Sequence, residues 1–497
     1  MKIDILQKTD NSYKRIIKST GIFGGSQLIT ILIGIIRNKV IAILLGTVGA
    51  GLISVYQSIL DVIKSISGFG IETSGVRDVS QSAENEDKTE LYRTISTIDT
   101  WSLILALLST VICIACAYPV SIWLFDDTTH TYQIGALSIS LFFMVLAAGQ
   151  TVVLQGLRQI SYLVKSSIIW NIAGLIVAIP MYAYFDLNGV IPVFIAVSIG
   201  MYCSAYYYRR KLKIPKVQLS FSEIRTRGTG MLRLGFFVAL AAIPTTASLF
   251  VIRAFLVNNS GLEAVGLFQA ASTITNVYLS LILKSMGADF YPRLCGVIKD
   301  NSSSSRLINE QTHIVLILCA PAILALLLFS KLLLITLYSY DFIGASDVLN
   351  WQIAGTFLKV VSWPLGFILL AKGKGAVYFF TEMLYLTVYL GSAYLIYPHL
   401  GFESIGIAYF IGYIVYLPVV YIAGRKLIAF GWIKENSLLG ILSLIIIGTG
   451  FASAQYYSEY SVIILVPLLI VSIIISAFRF NKILPLKSLP NLLRKKK

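Results

Sequence analysis

The chain has 497 residues, of which 57% are hydrophobic and only 13% are charged. Charged residues make up about a quarter of an ordinary soluble domain, so this composition excludes a soluble globular protein and indicates an integral membrane protein. The net charge of +16 does not indicate a nucleic-acid partner, because the cytoplasmic loops of membrane proteins are themselves rich in lysine and arginine.

Apolar runs that could span a bilayer follow one another along the chain. A transmembrane helix needs about 20 mainly apolar residues to cross ~30 Å of hydrocarbon. The first six such runs lie at roughly 20–44, 52–71, 98–124, 133–157, 166–185 and 189–208. The next six lie at roughly 234–257, 264–287, 312–337, 349–371, 376–397 and 403–424, and a last pair at roughly 437–455 and 461–478.

The sequence therefore predicts an all-α polytopic protein with about 14 transmembrane helices. Between the two sets of six, the polar and basic stretch 209–233 is expected to be a cytoplasmic linker, and Asn301–Ser305 is expected to be a flexible turn. The predicted domains are an N-terminal six-helix bundle (1–208), the linker (209–233), a C-terminal six-helix bundle (234–424), and two extra helices with a basic tail (425–497).

The distribution of positive charge predicts the orientation. The connections that follow odd-numbered spans contain no lysine or arginine, whereas those that follow even-numbered spans contain nearly all of them. Lysine and arginine concentrate in cytoplasmic loops. Both termini are therefore expected to be cytoplasmic.

The chain also repeats itself. The stretch from Ile35 to Gln57 reappears about 215 residues later as Val251 to Gln269. Each copy is an apolar hairpin with a cation (Arg37, Arg253) and a glycine-marked turn (Gly46, Gly261). A repeat spaced by six spans keeps both copies in one orientation, so the halves should be related by an axis along the membrane normal, with a substrate site between them.

Ionisable side chains within the spans are the strongest functional candidates, because each is costly in hydrocarbon unless it is paired or hydrated. At ~1.5 Å per residue, Asp61, Lys64 and Lys359 are predicted to lie close to the bilayer midplane. Asp61 and Lys64 are three residues apart on one helix face, so mutual neutralisation is an alternative to a functional role. Lys359 has no such partner in the sequence and is the sharper candidate.

Other cations lie closer to the span ends. Arg37, Lys39 and Arg253 either extend to the outer headgroups or line a central cavity, and their recurrence in both halves favours the cavity. For Lys284, near a span end, the alternative is again extension to the interface. Glu382 either pairs with a cavity lysine or takes up protons, or else pairs with Lys372 or Lys374.

Together these groups predict a wet, net cationic cavity, which suits a phosphate-bearing amphiphile. The sequence contains no nucleotide-binding loop, no metal-binding cluster and no nucleophile–base pair. We therefore expect no catalytic residue, no metal and no cofactor.

Four segments carry a family resemblance: NKVIAILLGTVGAGL, SGFGI at Ser67–Ile71, AVGLFQAASTITNVYLSLI ending in YPRL, and DVLNWQIAGTFLKVVSWPLGFILLAKGKGAVYFFTE at Asp347–Glu382. In their order and spacing the chain resembles the Wzx-type O-antigen and oligosaccharide flippases of the multidrug, oligosaccharidyl-lipid and polysaccharide exporter superfamily. The resemblance covers roughly residues 15–425.

The resemblance implies a MATE-like fold of two pseudo-symmetric six-helix bundles in a bacterial inner membrane. It also implies translocation of an undecaprenyl-pyrophosphate-linked oligosaccharide, with membrane lipids and other polysaccharide-assembly proteins as partners. The family places charged residues in stretches like those that hold Lys39, Arg253, Lys359, Lys372 and Glu382, whereas Arg37 and Lys284 match less closely. The spacing to Gly46 favours Lys39 over Arg37 as the residue that faces the substrate.

Two alternatives stay open. A cation-coupled small-molecule exporter of the same fold predicts an acidic cavity, and the excess of lysine and arginine within the spans counts against it. Another membrane component of polysaccharide assembly, such as a polymerase or glycosyltransferase, needs a large catalytic loop or domain, yet the longest connections have only about 25 residues.

Overall fold

A computed structural model describes the backbone of residues 2–84, 88–457 and 459–483. Side chains are described from residue 29 onward, except at positions 234, 237, 238, 241, 242, 277–282, 284, 285, 287–289, 482 and 483. Within these residues the fold is all-helical and contains no strand.

Six helices precede the basic connection at residues 211–220. They are α1 (Lys2–Ser67), α2 (Ile71–Glu84), α3 (Lys88–Phe125), α4 (Thr131–Gly156), α5 (Ile160–Phe185) and α6 (Val190–Arg210). The helices that follow are α7 (Phe221–Val297), α8 (Asn301–Leu328), α9 (Ser330–Leu337), α10 (Ser346–Ala371), α11 (Gly375–Leu400), α12 (Ser404–Ile428), α13 (Lys434–Tyr456) and α14 (Ser461–Ile483). Short 3₁₀ turns link α5 to α6, α9 to α10 and α11 to α12.

The described residues include nine segments that are long and apolar enough to cross a membrane. Two of these segments each hold a pair of helices, α5 with α6 and α11 with α12. When α1 and α7 are each counted as two spans across an internal kink, and the short α2 and α9 are left out, the helices supply the fourteen predicted spans.

The kinks in α1 and α7 fall on the two glycines that mark the sequence repeat. Gly46 has φ 64° and ψ −161°, and Gly261 has φ 77° and ψ −178°. This backbone region is open almost only to glycine, because a Cβ atom would clash with the flanking peptide groups. The glycine-marked turns predicted from the repeat are therefore kinks at single residues, each of which joins two helical segments of α1 or α7.

The chain divides into two compact units, Met1–Gly266 and Leu267–Lys497. In the first unit, α4 packs against α3 and α6, and α5 packs against α1 and α6. Gly51 and Gly266, at equivalent positions of the repeat, both lie in this unit at close backbone contacts. A Cβ atom on Gly51 would be 2.0 Å from the carbonyl oxygen of Leu262, and one on Gly266 would be 2.0 Å from that of Thr47.

In the second unit, α10 packs against α12 and α8, and α11 packs against α12. The two additional helices α13 and α14 pack on α8. Polar contacts join α13 to the unit near both of its ends: Asn436 donates to the carbonyl oxygen of Asn309 at 2.8 Å, and Gln455 donates to Glu403 at 2.8 Å. The additional helices are therefore part of the packed second unit.

The expected flexible turn at Asn301–Ser305 is wrong, because these residues form the first turn of α8. Asp300 caps this helix: its carboxylate accepts from the backbone N–H of Ser302 at 2.9 Å and from the hydroxyl of Ser303 at 2.6 Å. The hydrogen bond from Ser303, followed by that from Ser302, lowers the pKa of Asp300. A capping aspartate thus turns a polar serine run into a helix start.

Candidate functional site

The first candidate cavity lies in the second unit, where α10, α11 and α12 meet. Its volume is about 230 Å³. It brings Lys359 and Glu382, both predicted from the sequence, to one site. The rest of the lining is mainly aromatic and consists of Ser362, Trp363, Gly366, Phe367, Leu370, Tyr378, Tyr385, Tyr413 and Tyr416.

Lys359 is a partly exposed cation on α10, a helix in which most residues are buried. Its neighbours Leu358 and Val360 are 9% and 0% exposed. The ammonium group lies 3.5 Å from the amide oxygen of Asn276 on α7 and 6.0 Å from the centre of the Tyr413 ring. A lysine has three N–H donors, so this ammonium keeps donors available for a ligand in the cavity.

Glu382 also lines this cavity, from α11. The hydroxyl group of Tyr416 donates to its carboxylate at 2.7 Å, and Tyr378 forms a further hydrogen bond with it. Lys359 is close enough to act on the carboxylate electrostatically. Lys372, one of the alternative partners considered for Glu382, donates to Asn301 at 3.1 Å.

A second cavity, of about 300 Å³, lies in the first unit and brings together Asp61 and Lys64 on α1 with Glu72 on α2. Lys64 forms a 2.7 Å ion pair with Glu72, and Asp61 accepts a 2.9 Å hydrogen bond from Gln57. Arg253 and Lys64 both act electrostatically on Asp61. Three predicted candidates are thus neighbours in this unit.

The remaining predicted cations lie elsewhere or are not described. Arg37 is exposed and acts electrostatically on the buried Tyr182 of α5, whereas Lys39 is partly buried. The side chain of Lys284 lies outside the described residues. The structure brings Lys39 to neither of the two cavities described above.

A third cavity, of about 340 Å³, is lined by residues of α2, α3 and α7 in the first unit. Its arginine, Arg227, binds both carboxylate oxygens of Glu90, at 2.6 and 3.0 Å. Because this guanidinium group is engaged by a carboxylate in two-point geometry, the cavity is a weaker candidate for binding an anionic ligand.

Sequence reasoning missed several contributors. Glu72, the partner of Lys64, lies beyond the predicted span, and the tyrosines around Glu382 look like ordinary apolar residues in a hydropathy profile. A regular spacing is visible in hindsight: Tyr409, Tyr413 and Tyr416 recur on one face of α12. In the described part of the chain, no cluster of histidine, cysteine, aspartate or glutamate could hold a metal ion.

Comparison with known sequences gives two results. The polysaccharide biosynthesis protein family matches residues 16–296 of this chain. A lipid III flippase of Escherichia coli (strain K12) is 23% identical over 402 residues, which cover 79% of this chain and 94% of that protein.

Solved structures show the same fold at low identity. The lipid II flippase MurJ, in an inward closed conformation, superposes with a TM-score of 0.69 at 14% identity. This match covers 94% of the present chain and 99% of the MurJ chain. An inward-facing multidrug resistance MATE family transporter of the MOP superfamily gives a TM-score of 0.59 at 16% identity. This match covers 83% of the present chain and 95% of the transporter. The predicted fold class is therefore confirmed.

Proposed function

We propose that this chain, which belongs to the polysaccharide biosynthesis protein family, translocates a lipid-linked oligosaccharide across the bacterial inner membrane. The match to a lipid III flippase over most of both chains supports this function, and the flippase and transporter folds of its neighbours support a transport role rather than catalysis. In finer detail, the cargo is an undecaprenyl-pyrophosphate-linked O-antigen or related repeat unit, moved from the cytoplasmic to the periplasmic leaflet by alternating access.

The observation that carries this proposal is a partly exposed lysine, Lys359, that lines an aromatic cavity in the middle of a membrane-spanning helix. A charge at this depth is retained when it has a ligand or a partner. In our proposal the cations Arg37, Lys39, Lys64, Arg253, Lys284 and Lys359 bind the pyrophosphate and the sugar. Both termini are cytoplasmic in this account, and residues 209–233 link two functional halves.

A second candidate function rests on the carboxylates. Asp61 and Glu382 each lie in a cavity beside a cation, an arrangement that also suits a cation-coupled exporter. In the flippase account the same two carboxylates serve as charge partners or couple transport to an ion gradient. The two accounts differ in cargo, so they are separated by which molecule crosses the membrane.

The test uses a strain that lacks its own flippase and therefore accumulates lipid-linked intermediates on the cytoplasmic side. The wild-type chain should restore surface polysaccharide, and Lys359→Ala or Arg253→Ala should abolish it while leaving the protein in the membrane. Arg306→Ala is the control, because Arg306 is 83% exposed and lies outside the described cavities. Normal surface polysaccharide with both Lys359→Ala and Arg253→Ala would refute the proposed cationic site.

A further inference from the structure

We propose that the cavity around Lys359 and Glu382 is a subsite for one sugar ring of the cargo, distinct from the groups that bind the pyrophosphate. This inference rests on the proposed function and extends it to the part of the cargo that the cavity recognises. It follows from the size of the cavity, its aromatic lining and its pair of opposite charges.

The size of the cavity fits a single ring. Sites for drug-sized ligands measure about 300–1,000 Å³. At about 230 Å³, this cavity is below that range and too small for a whole repeat unit. A single sugar of the oligosaccharide, either the first or the terminal one, can enter the cavity while the rest of the cargo lies outside.

The aromatic wall supplies an apolar surface. Trp363 and Phe367 meet edge to face, with ring centres 4.9 Å apart, and Tyr385 and Tyr413 meet at 4.5 Å. A pyranose presents C–H groups on its faces and hydroxyl groups on its rim, so it can lie against an aromatic face while its rim reaches polar side chains. Mainly aromatic lining with few polar groups is typical of a small-molecule site.

The polar groups complement a hydroxyl-rich rim better than a phosphate. Glu382 accepts from Tyr416, and a carboxylate has about four acceptor sites, so it can still accept from sugar hydroxyls. Lys359, which lines the same cavity from α10, supplies donors. A sugar hydroxyl can use both, because it donates and accepts, whereas a phosphate only accepts and is repelled by the carboxylate.

The charges of the cavity point the same way. Lys359 and Glu382 carry opposite charges, so the pair gives the cavity no net charge that would favour an amine or a quaternary ammonium group over a neutral ligand. A neutral sugar satisfies both charged groups, because its hydroxyl groups both donate and accept. In this account, cations outside this cavity, such as Arg253, bind the pyrophosphate.

The experiment measures binding of four lipids to the full-length protein in nanodiscs. The probes are undecaprenyl pyrophosphate without a sugar and the same lipid carrying a hexose, an N-acetylhexosamine or a hexuronic acid. Wild type should bind at least one sugar-bearing lipid about tenfold more tightly than the bare lipid, as expected for one stacked ring and one or two hydrogen bonds.

Trp363→Leu should remove most of the preference for the sugar-bearing lipid without weakening the binding of the bare lipid. Glu382→Gln, which keeps the side-chain size, should reduce the same preference. Trp351→Leu is the matched control, because Trp351 lies on the same helix but packs against Phe410 and Phe451 outside the cavity. Trp351→Leu should keep the preference.

Two results would overturn the sugar subsite while leaving the proposed function intact: equal binding of all four lipids by wild type, or an equal loss for bare and sugar-bearing lipids in Trp363→Leu and Glu382→Gln. If wild type bound none of the four lipids, the proposed function itself would be refuted, and the subsite with it.

Discussion

Arg209 lies at the end of α6, and its guanidinium group binds the carboxylate of Asp99 on α3 and, at 2.7 Å, the amide oxygen of Gln150 on α4. The side chains of Arg209 and Asp99 are 13% and 29% exposed. One guanidinium group thus joins three helices of the first unit. A charge pair that is this far removed from water is costly to break, because the remaining charge is only partly hydrated.

Arg209→Gln should therefore destabilise the first unit by about 1–3 kcal/mol, between the values for an exposed and a fully buried ion pair. The control is Arg158→Gln, which breaks the pair with Glu84, where the two side chains are 77% and 70% exposed. Such exposed pairs contribute about 0–1 kcal/mol. Thermal unfolding of the purified variants should show a clear drop for Arg209→Gln alone, and similar melting temperatures for both variants would contradict this role.

The sequence identifies charged residues within spans but not their partners. Lys359 and Glu382 could be selected because hydropathy makes a charge in an apolar run conspicuous. Arg209 could not, because it stands in a basic run at a span end, where the concentration of lysine and arginine in cytoplasmic loops already explains an arginine. The partner of Lys64 was also hidden, because Glu72 meets it only through the turn between α1 and α2.

At the scale of the helices, the repeat places four glycines at equivalent points. Gly46 and Gly261 form the kinks, and Gly51 and Gly266 lie at a close contact between the parts of α1 and α7 that directly follow these kinks. A Cβ atom on Gly51 would meet the carbonyl group of Leu262, the residue after the kink at Gly261. A Cβ atom on Gly266 would meet the carbonyl group of Thr47, the residue after the kink at Gly46. The contact is thus the same interaction made twice.

Gly51→Ala or Gly266→Ala should destabilise the protein, because the added Cβ atom would lie 2.0 Å from a backbone carbonyl oxygen that cannot rotate away. Overpacking of this kind costs about 1–3 kcal/mol or more. Gly34→Ala is the matched control in α1, since nothing lies within 4 Å of its added Cβ atom. The melting temperature of the purified variants is the measurement, and a Gly51→Ala variant as stable as Gly34→Ala would disprove the close contact.

The membrane-spanning helices were easier to predict than the helix starts and the short helices, because an apolar run long enough to cross a bilayer has few alternatives to a helix. The start of α8 shows the limit of that reasoning. A run of asparagine and serine favours a loop by composition, yet Asp300 directly before it provides the cap that lets the run become helical. The short amphipathic helix α2 was missed because it is not apolar enough to register as a span.

At the scale of the whole molecule, hydropathy, charge asymmetry and the repeat predict the membrane class, the number of spans and the recurrence of six spans. The boundary between the two compact units falls at Gly266, inside α7, where no change of composition marks it. The cavities also arise from packing of helices distant in sequence, such as α10 with α12, which a single sequence does not reveal.

Transport by the purified full-length protein in proteoliposomes tests whether it moves a lipid-linked sugar. The cargo is undecaprenyl pyrophosphate carrying an N-acetylhexosamine, a hexose or a hexuronic acid, and the measurement is the rate at which it becomes accessible in the opposite leaflet. Our account predicts transport of at least one of these lipids faster than in protein-free vesicles, lost in Arg253→Ala and retained in Arg306→Ala. Rates equal to those of protein-free vesicles for all three lipids would contradict it.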